Sequence, residues 1–405
     1  MDPLLLEFGS SLLRWTHVIT AIAWIGSSFY FMHLDASLRP VDDIPAGKGG
    51  ATWEVHGGGF YEVKKYLEAP AHLPKEMIWH KWQSYSTWIT GFFLLVWVYY
   101  AQAELFLVDP SVMPLSVWQA SLFGLTALAA GWVFYDQLCK SPLAKNEVAL
   151  GAVLFVFIVV LTYGLQHVFS GRGTLIHAGA VTATIMTANV FFIIIPGQKM
   201  IIAALTSGQT PDPAIGKRAK IRSMHNNYLT LPVVFLMLSN HYPMFYGTSL
   251  TWLIVALVLV AGALVRHFYN VSHAGKGEPW WTWAGAALCM WAIFWVASSS
   301  SQLGRERLGL PAANPIKFAA NAPKAPAAVA DVIMGRCSMC HAATPSWTGI
   351  AIPPKGVILD SPESVAIQKE AIRIHSVLSR AMPPNNITEM TIEERRLVAG
   401  WTGTR

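Results

Sequence analysis

Charge is what this sequence most lacks. Asp, Glu, Lys and Arg supply 13% of its 405 residues, about half the share of a soluble globular chain. Hydrophobic residues supply 53%, a balance that excludes an ordinary soluble domain and points to membrane helices. Cysteine is scarce too. The four present, Cys139, Cys289, Cys337 and Cys340, exclude a disulfide framework; Cys139 and Cys289 stand singly in apolar stretches and read as packing residues. The opening residues, MDPLLLEFGSSLLRW, offer no basic n-region and no small-residue cleavage site, so no cleavable signal peptide is expected. The net charge of +6 does not indicate nucleic acid, because the basic residues lie between apolar runs, where they set topology.

Aromatic residues are plentiful. Many of the 17 Trp and 12 Tyr stand near the ends of the apolar runs, where amphipathic rings favour a membrane interface. Runs of about 20 residues, the length that crosses a bilayer, occur at 11–32, 80–101, 116–138, 147–167, 175–196, 225–246, 250–270 and 280–301. They predict an all-α, polytopic bundle of about eight transmembrane helices. The segments 39–81, 140–145, 197–222 and 266–279 hold fifteen Lys and Arg, whereas 102–115, 168–174 and 247–249 hold only Arg172. Basic loops stay cytoplasmic. The pattern therefore predicts a bacterial inner-membrane protein with both termini in the periplasm.

Composition divides the chain into a membrane domain at 1–305, a Pro- and Ala-rich linker at 306–329, and a small domain at 330–405. Within the long loop after the first run, WEVHGGGFYEVKKY reads as a hairpin turned at its glycines, with an anion-binding glycine nest the lesser alternative.

The last domain carries the most specific motif. Residues 337–341 read CSMCH. In the spacing C-x-x-C-H two thiols bond haem covalently and the adjacent imidazole reaches the iron. Cys337 and Cys340 are therefore expected to attach one haem c, with His341 as an iron ligand. AVADVIMGR before the motif and TIEERRLVAGW near the end predict the first and last helices of a small, class I, all-α cytochrome c. AMPPNN supplies Met382 as the favoured sixth ligand, with His375 as its rival. His/Met ligation raises the potential and suits an electron acceptor. Attachment to such motifs takes place in the periplasm, the side on which the charge pattern also puts the tail.

Ionisable residues inside membrane helices are costly and usually functional. By depth, His17, His167, His177 and His241 fall toward the outer face, and His33, His80, His225 and His267 toward the inner face. Histidines on facing helices can hold haem b, so His17, His80, His167, His177, His225, His241 and His267 are candidate ligands for one or two such haems. Asn226, Asn227, Asn240 and Tyr242, in the polar ends of HNNYLTLPVVFLMLSNHYP, could hold a polar ligand or satisfy helix ends and the backbone freed by Pro232.

Four stretches together, HVITAIAWIGSSFYF from His17, WEVHGGGFYEVKKY from Trp53, HNNYLTLPVVFLMLSNHYP from His225 and the CSMCH tail, resemble the membrane-bound bacterial urate oxidase (urate hydroxylase) family, which ends in a cytochrome c domain. The resemblance covers nearly the whole chain. It implies an oxidoreductase of purine degradation that converts urate to 5-hydroxyisourate and passes electrons to its cytochrome. A soluble cytochrome or a terminal oxidase would receive them. A non-catalytic electron relay that anchors a cytochrome for a partner dehydrogenase is the alternative. A purine transporter fits less well, since no inverted repeat is evident. The favoured catalytic candidates are Asn240, His241 and Tyr242 at the outer end, with Arg172 attracting the anion; the competing set is His225, Asn226 and Asn227 at the inner end.

The charge pattern generates a direct test. Reporter fusions after Leu205 should behave as cytoplasmic and fusions after Pro323 as periplasmic; the reverse result would overturn the topology.

Overall fold

A computed structural model describes residues 3–45, 47–67, 74, 76–109, 112–312 and 321–404. It is mostly helical, 69%. The membrane part is built from α1 (Pro3–Ser37), α2 (Trp82–Leu95), α3 (Val117–Lys140), α4 (Glu147–Leu165), α5 (Gly171–Ala188), α6 (Ile195–Thr206), α7 (Pro213–Ser239), α8 (Thr251–His273) and α9 (Trp281–Ser298). α5 and α6 form one rod, joined by a wider π turn at Asn189–Ile194. Pro196, at the start of α6, has no N–H for the regular ladder, and the wider turn accommodates it.

Among the described residues, five helices are long and apolar enough to cross a membrane: α3, α4, the α5–α6 rod, α8 and α9. The runs expected at 11–32, 80–101 and 225–246 correspond to α1, α2 and α7, and their departures have local causes. α1 carries Arg14, Thr16, His17, Thr20 and Ser27 along its length. α2 lasts only 14 residues before a π turn at Val96–Tyr100. α7 begins at Pro213, twelve residues before the expected span, with Lys217, Arg218, Lys220 and Arg222 in its first turns. Two basic residues that the loop count assigned to solvent are in fact buried inside helices: Arg222 is 4% exposed and Arg266 7%.

One hairpin departs from the all-α expectation. β1 (Gly49–His56) pairs antiparallel with β2 (Gly59–Tyr66), His56 opposite Gly59. Gly57 and Gly58 turn between them with φ of +58° and +80°, as a two-residue hairpin turn of the favoured hand requires. The hairpin is tied to α1 by a bridge between Arg39 and Ala51 and by the Lys65–Asp35 ion pair.

α3, α5 and α7 enclose the core, where Tyr135, Leu175, Ile185 and Leu236 are completely buried. Such packing depends on shape rather than on the hydrophobic effect where lipid replaces water. Gly262 of α8 lets that helix close on Pro232, a Cβ there falling 2.7 Å from the proline ring.

The tail forms its own core from Val329, Ile333, Val365, Ile372 and Val398. Its first helix, α10 (Ala327–His341), begins three residues before the expected domain boundary, and Ala325 already packs in this core. Its last, α11 (Ile392–Thr402), starts with a capping box between Thr391 and Glu394. Arg336 joins the two helices, with Nε 3.0 Å and Nη2 2.9 Å from Glu394 Oε1. Of the expected linker, residues 313–320 lie outside the described residues.

Candidate functional site

The expected haem ligands are dispersed through the bundle. His17 has Nδ1 3.1 Å from the Thr87 carbonyl and 3.1 Å from Thr90 Oγ1 on α2. Gly91 makes the room, since a Cβ there would fall 2.8 Å from the ring. His177 is fully buried, with Nδ1 2.8 Å from the Gly173 carbonyl and Nε2 3.1 Å from Tyr100 Oη. Both its nitrogens are thus engaged. His225 Nδ1 lies 2.8 Å from Tyr135 Oη, and its ring lines a groove of about 380 Å³ together with Phe155, Tyr228 and Leu259. His80 packs on Phe31 and His267 near Trp281, while exposed His167 bonds back to the Tyr163 carbonyl. Among the described residues, the histidine rings in mutual contact are His33 and His273, 4.5 Å between centroids; neither is among the expected ligands.

Around His225 a buried polar network ties three helices. Asn189 Nδ2 donates to Tyr135 Oη at 3.1 Å and to Asn226 Oδ1 at 2.9 Å. Asn226 Nδ2 donates to the Met186 carbonyl. Arg222 donates to Asn189 Oδ1 at 3.2 Å and forms an ion pair with Asp136 at 2.7 Å, and Lys140 approaches the other Asp136 oxygen at 2.6 Å. The side chains satisfy one another. That makes the network a strut more than a receptacle.

The other side of α7 is different. Asn227, completely buried, donates to Asn270 Oδ1 at 3.1 Å, and Arg266 Nη2 reaches the same oxygen at 3.5 Å. The Arg266 guanidinium lies 4.5 Å from the Phe29 ring centroid. Asn227 Oδ1, Asn270 Nδ2 and Arg266 Nε are all buried without a hydrogen-bond partner. Gln83 Oε1 and Ser84 Oγ on α2 and Thr187 Oγ1 on α5 are unpartnered as well. Thr187 directly follows Met186, whose carbonyl accepts from Asn226. An unpaired buried polar atom costs about 1–3 kcal/mol. The three on Asn227, Asn270 and Arg266 are groups that a polar ligand could satisfy.

The outer candidates are less enclosed. Asn240 Nδ2 turns back on the Met237 carbonyl of its own helix. Tyr242 is 55% exposed. His241 is exposed and meets Lys355 of the tail, Nδ1 to Nζ 3.2 Å.

In the tail, Cys337 and Cys340 stand three residues apart on α10, one turn of one face, with His341 at its end. Burial, reinforced by the neighbouring Cys340, pushes the Cys337 thiol up to about 11. Burial holds the His341 imidazole below its ordinary value, against the opposing bond to Val357. His341 Nδ1 lies 2.9 Å from the Val357 carbonyl, an outer bond that fixes the ring and leaves Nε2 free, as metal-binding imidazoles require. Met382 N–H donates to the His375 carbonyl at 2.8 Å, so the rival sixth ligands are neighbours. Arg395, which sequence reasoning passed over, holds this loop: Nη1 donates to the Met382 carbonyl at 3.0 Å and Nη2 to Asn386 Oδ1 at 3.0 Å. Two thiols, an imidazole with a free nitrogen and a thioether loop are a donor set that fits haem c. Among the described residues no group of three His, Cys, Asp or Glu is placed to hold a bare metal ion.

The fold is that of a helical bundle with membrane-length helices, bearing a small helical tail that carries two thiols and an imidazole. More particularly, the chain belongs to the urate oxidase N-terminal family, whose model matches residues 3–297. The match takes in the bundle and stops before the tail, so it ties the bundle to urate-related oxidoreductase chemistry. No curated protein and no solved structure matches the chain.

The Arg222–Asp136 pair yields a prediction. Removing Arg222 leaves Asp136 with only the exposed Lys140 as counter-charge and deprives the buried Asn189 Oδ1 of its donor, a loss of about 1–3 kcal/mol. Arg222→Ala should therefore lower the thermal unfolding midpoint of the detergent-solubilised protein markedly, and Arg222→Lys by less; two unchanged midpoints would contradict a structural role for the network.

Proposed function

We propose that the chain oxidises urate to 5-hydroxyisourate in the bundle and delivers the electrons to a cytochrome c formed by its own tail. The observation that carries this reading is the set of unpaired buried groups at Arg266, Asn227 and Asn270 within a bundle of the urate oxidase N-terminal family. Urate is a planar anion edged by carbonyls and N–H groups. Arg266 would balance its charge, Asn270 Nδ2 would donate to a carbonyl, and Asn227 Oδ1 would accept from a ring N–H. Of the two ends considered from sequence, this favours the inner one, with Asn226 and His225 as supports behind Asn227.

The reaction balances as urate plus water giving 5-hydroxyisourate, two protons and two electrons. Water supplies the oxygen and no peroxide need form. Haem c held by Cys337, Cys340, His341 and Met382, with one or two haem b in the bundle, would accept the electrons singly and pass them to a soluble cytochrome or terminal oxidase. Of the bundle histidines, His17 suits such a haem best, because its Nδ1 is anchored and its Nε2 is free; His177, with both nitrogens engaged, suits it least. The location that goes with this reading is an inner membrane, spanned eight times, with the tail in the periplasm.

Two experiments test the reading. Anaerobic addition of urate to purified protein should reduce its haem, and Arg266→Gln or Asn227→Leu should slow that reduction at least about tenfold at equal haem content, whereas Asn240→Ala should not. Loss of reduction in Asn240→Ala with full rates in the inner variants would sink the inner site; no reduction by urate in the wild type would favour the non-catalytic relay. Independently, the double variant Cys337→Ala, Cys340→Ala should lose the haem-stained band on denaturing electrophoresis. A full-strength band would refute the assignment of the tail.

A further inference from the structure

A second polar cluster, at the other end of the bundle, plays no part in the urate reading. Tyr99, in the π turn after α2, is 5% exposed, and Tyr246, in the connection between α7 and α8, is 9% exposed. The Tyr246 hydroxyl has no hydrogen-bond partner, and the Tyr99 hydroxyl has only Arg172 within bonding reach. Arg172, in the first turn of α5, lays its guanidinium 4.8 Å from the Phe106 ring centroid, and its Nε is buried and unpartnered. Arg172 and Arg14 both lie within electrostatic reach of Tyr99, and Arg172 within reach of Tyr246.

The tail completes the cluster. Lys355 reaches His241, and a Cβ at the adjacent Gly356 would stand 3.4 Å from the Tyr246 ring and 3.9 Å from its hydroxyl. Burial, and then the positive charges of Arg172 and Arg14, holds the Lys355 ammonium below its ordinary value. Among the described residues, no ion pair joins Arg14, Arg172 or Lys355 to a carboxylate. Among the described residues, these like charges face neutral acceptors, His241 and the tyrosine hydroxyls, rather than carboxylates. A fork of guanidinium N–H groups, an ammonium and phenolic hydroxyls are the groups that recognise an oxyanion, and the excess of cations suits the several oxygens of a phosphate.

We propose that the junction of bundle and tail is a phosphate-binding site, in which Arg172, Lys355 and the hydroxyls of Tyr99 and Tyr246 hold one phosphate group and thereby fasten the tail to the bundle. The phosphate belongs to an anionic lipid headgroup or to the free ion, which the test separates. The site is independent of where urate binds.

Full-length haem-loaded protein, stripped of lipid in a neutral detergent, would be titrated calorimetrically with inorganic phosphate at constant ionic strength, chloride serving as control. In parallel, retention of phosphatidylglycerol and of phosphatidylcholine would be compared by native mass spectrometry. Saturable phosphate binding identifies the free ion as the source; selective retention of phosphatidylglycerol without phosphate binding identifies lipid. In either case Arg172→Gln and Lys355→Gln should each weaken binding about tenfold, the worth of one charge-assisted bond. Tyr246→Phe, which keeps the ring, should weaken it less. Absence of both kinds of binding overturns the proposal. So does binding that Arg172→Gln weakens and Lys355→Gln leaves intact, because the tail would then take no part.

Discussion

The pairing of Arg222 with Asp136 is the constraint on which the inner half of the bundle rests. Arg222 comes from α7 and Asp136 from α3, and the same guanidinium reaches Asn189 in the π turn after α5. A charge removed from water is tolerable only when its bonds are met. Meeting them fixes three helices at one height. Asn189 in turn orients Asn226 and Tyr135, and Tyr135 orients His225. With one side of α7 so committed, Asn227, its next residue, is directed at α8, where Arg266 and Asn270 wait. The satisfied network is thus the reason an unsatisfied one can exist beside it.

The tail uses the same logic on a smaller scale. Below about 80 residues a core contributes little stability by itself, and here it is reinforced by side chains that bond across the fold. Arg336 clamps the first helix to the last, and Arg395 of the last helix grips the Met382 loop. Val357 holds the His341 ring. His341 and the Met382 loop are each held by a partner distant in sequence, which is how rigid geometry is obtained in so short a segment.

Much of this was legible in the sequence. Five of the eight apolar runs correspond to helices of membrane-crossing length and hydropathy, the glycines foretold the hairpin turn, and the patterns flanking CSMCH foretold α10 and α11. Helix ends were less legible: α7 extends far into a basic segment that reads as loop, because a helix can carry lysines on an exposed face outside the apolar layer. That is also why Arg222 and Arg266, counted among loop charges, were missed as buried groups. For the histidines the surroundings of each ring were not legible: His177 is buried against Tyr100, whereas His167, in the turn after α4, is exposed. Asp136, Asn189 and Asn270 carried a signal that went unused: each is a polar residue within an apolar run.

The loop from Pro353 to Val357 joins two contacts that are usually kept apart. Its Val357 carbonyl steadies His341, and its Lys355 and Gly356 rest against His241 and Tyr246 of the bundle. Five consecutive residues therefore serve as both internal buttress and external foot. The tail is not an exchangeable module. A foreign domain grafted in its place would keep its own imidazole geometry but lose the footing, and one given this loop would have to accept its shape from within. Inheritance should accordingly act on bundle and tail as one unit, with the loop as the stretch least free to drift in length.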